Sequence, residues 1–119
     1  LQISGRVGNL LVPESGHNIA PEPIEQRLLE LCERAEQTMV VGHGKPYLIA
    51  IVTGEASSEE VEDAVERLNT ELPHYRRIRH TILSTELFSP ENGQQTANQK
   101  LKRRAILADY RDRIQELYP

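Results

Sequence analysis

Three stretches of the chain repeat apolar residues at helical spacing. Ile24, Leu28, Leu31 and Ala35 recur at steps of 4, 3 and 4, which places them on one face of an α-helix. Pro21-Glu22-Pro23 ahead of them fixes φ at a helix entry and puts acid in the first turn, so the first helix is expected from Pro21 to near Glu36. Val61, Ala64, Val65 and Leu68 form a second stripe, opened by Ser57 with Glu60 three residues on, the capping-box spacing, and broken by Leu72-Pro73. Ile106, Tyr110, Ile114 and Leu117 form the stripe of a last helix. Between these stretches the apolar residues run together. Thr38-Met39-Val40-Val41 and Tyr47-Leu48-Ile49-Ala50-Ile51-Val52 read as buried strands joined by the turn Gly42-His43-Gly44-Lys45-Pro46, and Thr81-Ile82-Leu83 as another strand. A continuous apolar run such as Leu48–Val52 suits a central strand covered on both faces.

At the start, Leu1 to Val12 reads as extended structure; Pro13-Glu14-Ser15-Gly16 turns it, and His17-Asn18-Ile19-Ala20 returns as the second arm of a hairpin. The order β-β-α-β-β-α-β-α, without internal repeat or long linker, predicts an α+β fold: a small mixed sheet flanked by helices, with an N-terminal β-hairpin.

The polar stretch Gln95-Thr96-Ala97-Asn98-Gln99 leads to Lys100 and then to Leu101-Lys102-Arg103-Arg104 at the mouth of the last helix. Ser89-Pro90-Glu91-Asn92-Gly93 before it is turn chemistry, because Pro fixes φ and Asn-Gly tolerates φ > 0. Lys100 is therefore expected on a mobile tether between a turn and a helix, where it can reach something.

Composition narrows the function classes. At 119 residues and 38% hydrophobic, the chain suits one domain with one modest core and is too short for a multi-step enzyme. A formal net charge of -4 gives no global field toward nucleic acid or membrane. No apolar run approaches the roughly 18 residues of a membrane span and no signal peptide opens the chain, so a soluble, cytoplasmic chain is expected. The lone Cys32 reads as a buried structural thiol. His17, His43, His74 and His80 form no metal-ligand spacing, and no metal site is expected. There is no Walker A, no Rossmann glycine fingerprint and no Gly-x-Ser-x-Gly elbow. For Arg76-Arg77-Arg79 and Lys100-Lys102-Arg103-Arg104, ordinary surface charge is the leading reading, the phosphates of a small cofactor the second and nucleic acid the third, since one Phe, four Tyr and no Trp leave little to stack bases on.

Three motifs in order carry a resemblance over nearly the whole chain: Gly5-Arg6; Ser15-Gly16-His17-Asn18-Ile19-Ala20-Pro21-Glu22-Pro23-Ile24-Glu25; and Thr96-Ala97-Asn98-Gln99-Lys100. The tract Leu72-Pro73-x-Tyr75-x-x-Ile78 agrees with them. Together they resemble the C-terminal domain of the adenylate-forming superfamily, which includes acyl- and aryl-CoA synthetases, firefly luciferase and the adenylation domains of peptide synthetases. The resemblance implies a C-terminal lid domain spanning residues 1–119, inactive alone, that works with an N-terminal adenylating domain absent from these residues. That partner domain would hold the carboxylic acid and most of the Mg-ATP site. The lid would serve adenylation first and then rotate for attack by the thiol of CoA or of a carrier protein's phosphopantetheine. Lys100 matches the adenylation lysine, with Thr96 in its motif as a cofactor-binding residue. Arg6 matches the arginine on the ribose hydroxyls, Gly8 the hinge, and Gly16 the glycine beside which the pantetheine passes. Three departures stand out: Gly8 replaces the usual Asp or Lys, Gln99 replaces a common glycine, and Pro13-Glu14 lengthens the hairpin by one residue. Two alternatives remain, the same domain in a carrier-protein-loading module and a non-catalytic α+β module that binds a partner through its basic face. No nucleic-acid or membrane partner is expected.

Overall fold

In the computed structural model, which describes residues 10–98 and 100–118, the long apolar run becomes the middle of a three-stranded sheet. Strand β1 (Ala35–Val41) pairs antiparallel with β2 (Leu48–Gly54), and β2 pairs in parallel with β3 (Ile78–Ser84). The antiparallel pair needs only the short turn after Val41, whereas the parallel pair needs a crossover. Helix α2 (Ser58–Thr70) and a single 3-10 turn, His74–Arg76, supply it. Helix α1 (Pro21–Leu31) precedes the sheet; α3 (Arg103–Asp109) and α4 (Arg111–Glu116) close the chain. The fold is α+β with a small mixed sheet, as the pattern predicts.

Every residue of β2 is buried. Because neighbouring strand residues face opposite ways, that strand feeds two cores instead of the single one expected. Leu48, Ala50 and Val52 meet Ile24, Leu28, Val61 and Leu68 beneath α1 and α2. Ile49 and Ile51 meet Met39, Phe88, Ile106 and Tyr110 beneath α3 and α4.

Side-chain hydrogen bonds fix several of these ends. Ser57 accepts the N–H of Glu60 at 3.2 Å and donates its own N–H to the Glu60 carboxylate at 3.0 Å, closing the capping box. The Asn69 side chain donates to the Ile78 carbonyl and accepts the Ile78 N–H, at 3.0 and 2.9 Å, pinning the start of β3 to α2. Arg27 of α1 forks onto Glu71 at the end of α2, with both contacts at 2.9 Å.

Three expected element boundaries need correction. The first helix ends at Leu31, not near Glu36: Cys32 has extended angles (φ -125°, ψ 94°), and Ala35 reaches the same core from the start of β1. Ala35 fits the helical spacing only by coincidence. β3 is longer than Thr81–Leu83 because its edge position lets the exposed Arg79 and His80 stay in strand. The last helix breaks at Tyr110 (φ -105°, ψ 7°), although hydrogen bonds from Tyr110 to Ile106 and from Ile114 to Tyr110 keep the stripe on one face. In the described residues, the early hairpin is a single antiparallel bridge between Leu11 and Ile19, with mutual backbone hydrogen bonds of 2.8 Å; its earlier part lies outside them. Cys32 is buried, as expected. Among the described residues no helix is long and apolar enough to cross a membrane.

Candidate functional site

The stretches 88–98 and 100–102 are ordered by polar side chains. Gln37, on edge strand β1, acts as a piece of backbone would: it accepts the Phe88 N–H at 2.7 Å, donates to the Phe88 carbonyl at 3.0 Å, and accepts the Thr53 hydroxyl at 2.9 Å. Phe88 itself is 1% exposed, an apolar peg in the second core. Next, Asn92 holds the turn, with its carboxamide oxygen accepting from Ser89 and Gln94 N–H and its amide donating to the Leu87 carbonyl. Gly93 takes φ 78° here, the left-handed state that the Asn-Gly signal predicts. Gln94 then donates to the Asp109 carboxylate of α3 at 2.7 Å.

This anchoring corrects the loose tether expected before Lys100. Gln95 and Leu101 form an antiparallel bridge; Thr96 N–H donates to the Lys100 carbonyl at 2.8 Å, and Lys100 N–H donates to the Thr96 hydroxyl at 3.1 Å. Lys102 N–H donates to the Gln94 carbonyl. The loop is thus a small closed hairpin with Leu101 packed against the second core. Lys100 projects from it exposed and makes no ion pair with the described residues. Thr96 contributes its hydroxyl to this closure. A cation held by its backbone, with no ion-pair partner among the described residues, suits an anionic group, a phosphate or carboxylate, brought from outside the chain. The flanking groove, about 370 Å³, is lined by Glu22, Glu25, Gln26, Thr38, Gln95 and Arg103, among others.

Behind Lys100 lies an ion pair that the sequence reading counted as surface charge. Arg103 forks onto Glu25 of α1 at 2.7 and 2.8 Å, and Glu25 also accepts the Val40 N–H of β1 at 2.7 Å. The two side chains are 18% and 8% exposed, and Glu22 stands 3.7 Å from the same guanidinium. Burial works against the Arg103 charge, but the hydrogen bonds and attraction of Glu25, with Glu22 adding to them, hold its pKa above the ordinary value. One faint signal exists in the sequence: Glu25 lies three residues before Leu28, on the flank of the apolar stripe.

Gly16 ends the Pro13–Gly16 turn, closing it with its N–H to the Pro13 carbonyl at 2.9 Å, and has φ 83°. A Cβ there would meet nothing within 4 Å, so within this chain glycine answers to the backbone angle and leaves open space beside it. His17 next to it stacks on Tyr75, centroids 3.7 Å apart, and Arg76 lies over the same Tyr75 ring. The basic tract is largely engaged at home: Arg77 donates to the Leu72 carbonyl, and Arg79 lies over Tyr47. Arg6 and Gly8 lie outside the described residues. Among the described residues no group of His, Cys, Asp or Glu is arranged to hold a metal ion.

Comparison with known proteins places this geometry. The chain is 25% identical to the putative fatty-acid–CoA ligase fadD11 of Mycobacterium tuberculosis, across 99% of the chain and 25% of that ligase. It is 25% identical to the chloroplastic long-chain-fatty-acid–acyl-carrier-protein ligase AEE15 of Arabidopsis thaliana, across 98% of the chain and 18% of that protein. The chain therefore spans a quarter or less of these curated relatives' length. Its fold matches the A domain of carboxylic acid reductase from Segniliparus rugosus, solved in complex with AMP and a co-purified carboxylic acid. That match has a TM-score of 0.81 and 26% identity, and covers 94% of the chain and 20% of the other. Two of the three motifs that resemble the adenylate-forming superfamily, all but Gly5-Arg6, lie within a family match covering residues 9–119, and the chain belongs to the AMP-binding enzyme C-terminal domain family.

Proposed function

We propose that residues 1–119 are the mobile C-terminal lid of an AMP-forming acid–thiol ligase, active only with an N-terminal adenylating domain. The observation that carries the reading is Lys100, fixed at its backbone by Thr96 and exposed at its ammonium. In the first half-reaction a carboxylate oxygen attacks the α-phosphorus of ATP and pyrophosphate leaves. Lys100 would stand between carboxylate and α-phosphate and offset the repulsion of two anions as they are joined. Thr96 would serve the nucleotide indirectly, by holding the loop, and Arg6 would contact the ribose hydroxyls. Magnesium would be held by the adenylating domain together with the phosphates. In the second half-reaction the lid turns about Gly8, a thiol sulfur attacks the acyl carbon, the thiol proton is released and AMP leaves. The open space beside Gly16 would admit the pantetheine arm.

Similarity to a CoA ligase supports CoA as the thiol, and similarity to an acyl-carrier-protein ligase supports a carrier protein as the second choice. A carboxylic acid in a similar solved structure supports a carboxylic acid substrate, which the adenylating domain would select. No interaction with nucleic acid or membrane is needed, and a cytoplasmic setting suits the substrates.

Lys100→Ala in the full-length ligase tests the reading. Loss of a preorganised charge at a transition state costs about 10²–10³ in rate, so ATP–pyrophosphate exchange should fall by that factor while thioester formation from supplied acyl-adenylate stays. Lys102→Ala is the control, with little effect expected. Near-normal exchange in Lys100→Ala would remove the reading.

A further inference from the structure

We infer that Arg103, clamped by Glu25, is a positioning residue that fixes where the Lys100 ammonium stands during adenylation. The inference rests on the function proposed for Lys100 and adds the device that aims it. Lys100 is three residues from Arg103, and the chain between them has little freedom. Leu101 bridges Gln95 and packs on the second core, and Lys102 N–H donates to the Gln94 carbonyl. The Arg103 guanidinium then ends in two hydrogen bonds to one carboxylate, at 2.7 and 2.8 Å. That carboxylate is bonded in turn to the Val40 N–H at 2.7 Å. An unbroken path therefore runs from the edge strand through α1 to the second arm of the Lys100 loop. Gln37 ties the first arm, through Phe88, to the same strand.

The chemistry of the pair favours aiming over stability. A buried ion pair is often no more stabilising than apolar residues of the same volume, because desolvation opposes the attraction. A guanidinium forked onto a carboxylate does, however, fix direction as well as distance, since both groups are planar and the two bonds are parallel. A transition-state cation needs that direction: a misplacement of about 1 Å costs about 100-fold. Glu22, 3.7 Å from Arg103, adds charge on the same side.

The test uses the full-length ligase with the double substitution Glu25→Met and Arg103→Met, which leaves no unpaired buried charge, beside Arg103→Lys and Lys100→Ala. The double variant should melt somewhat lower, because Glu25→Met leaves the Val40 N–H without its acceptor, and should keep its thioester formation from supplied acyl-adenylate. Its ATP–pyrophosphate exchange should fall by about 100-fold, in kcat and not in the KM for ATP. Arg103→Lys keeps the charge and loses the fork, and should show the same pattern to a smaller degree. If the double variant does not fold, Arg103→Lys decides alone. Parental exchange in the variant that decides, or an equal fall in both half-reactions, would overturn the inference. Lys100→Ala separates the two claims: normal exchange there would sink the adenylation reading itself, whereas impaired exchange there with parental exchange in the double variant would sink only the role of Arg103.

Discussion

Beneath α1 and α2 the sheet is held by apolar burial, with Leu28, Leu48 and Ala50 fully buried, whereas the stretches 88–98 and 100–102 are held by side-chain hydrogen bonds from Gln37, Asn92, Gln94 and Thr96. Each region has one weakness that the other lacks. Apolar packing is strong but indifferent to direction, so it suits a platform. Hydrogen bonds add little net stability yet fix angles and distances, so they suit a loop that must present one cation in one place. The loop also keeps Lys100 in water, as no core could.

The contrast can be broken most sharply in the platform. Leu28→Ala should cost about 2–5 kcal/mol, read as a lower urea midpoint, with both half-reactions of the surviving folded enzyme unchanged. In the loop, Gln37→Ala strips partners from the Phe88 N–H and carbonyl. It should cost about 1–3 kcal/mol, speed amide exchange at Phe88, and slow adenylation more than thioester formation; uniform slowing would erase the distinction between regions. Gly16→Asn tolerates the positive φ but fills the space beside the turn. Stability should hold while single-turnover thioester formation falls about tenfold, or about 1.4 kcal/mol; unchanged rates would leave Gly16 as a purely backbone requirement.

The smallest effect is at the α2 cap, where Ser57→Ala should cost about 1 kcal/mol and leave both half-reactions alone. The Ser57 N–H, foremost, holds the Glu60 carboxyl below its ordinary value of 4.5. A depressed carboxylate pKa adds stability above the unfolded value and loses it as pH falls through the folded one. The stability gap between parent and Glu60→Ala, which removes that carboxylate, should therefore be widest above about pH 5 and narrow as pH drops below about 4, as thermal melts across that range would show.

Local chemistry made much of this legible in advance. The α2 capping box, the uninterrupted Leu48–Val52 run, the turn at Asn92-Gly93 and the break at Leu72-Pro73 each depend on residues close in sequence, and each stands where the pattern put it. The motif around Lys100 was legible as a resemblance, and the family match agrees with it. What local pattern could not carry was any feature decided by partners far along the chain. Ala35 follows helical spacing yet belongs to a strand. Arg103 looks like one of four surface cations until Glu25, 78 positions away, closes on it. Gln37 has no apolar or turn signature, and its role exists only because Phe88, 51 positions on, presents a backbone to it. Sequence pattern alone was enough to tell which segments bury apolar surface and where α2 begins, because burial periodicity and capping act over one or two turns. Only the tertiary structure decided which polar side chains leave solvent and what they hold, because a buried hydrogen bond is set by the geometry of two distant elements meeting.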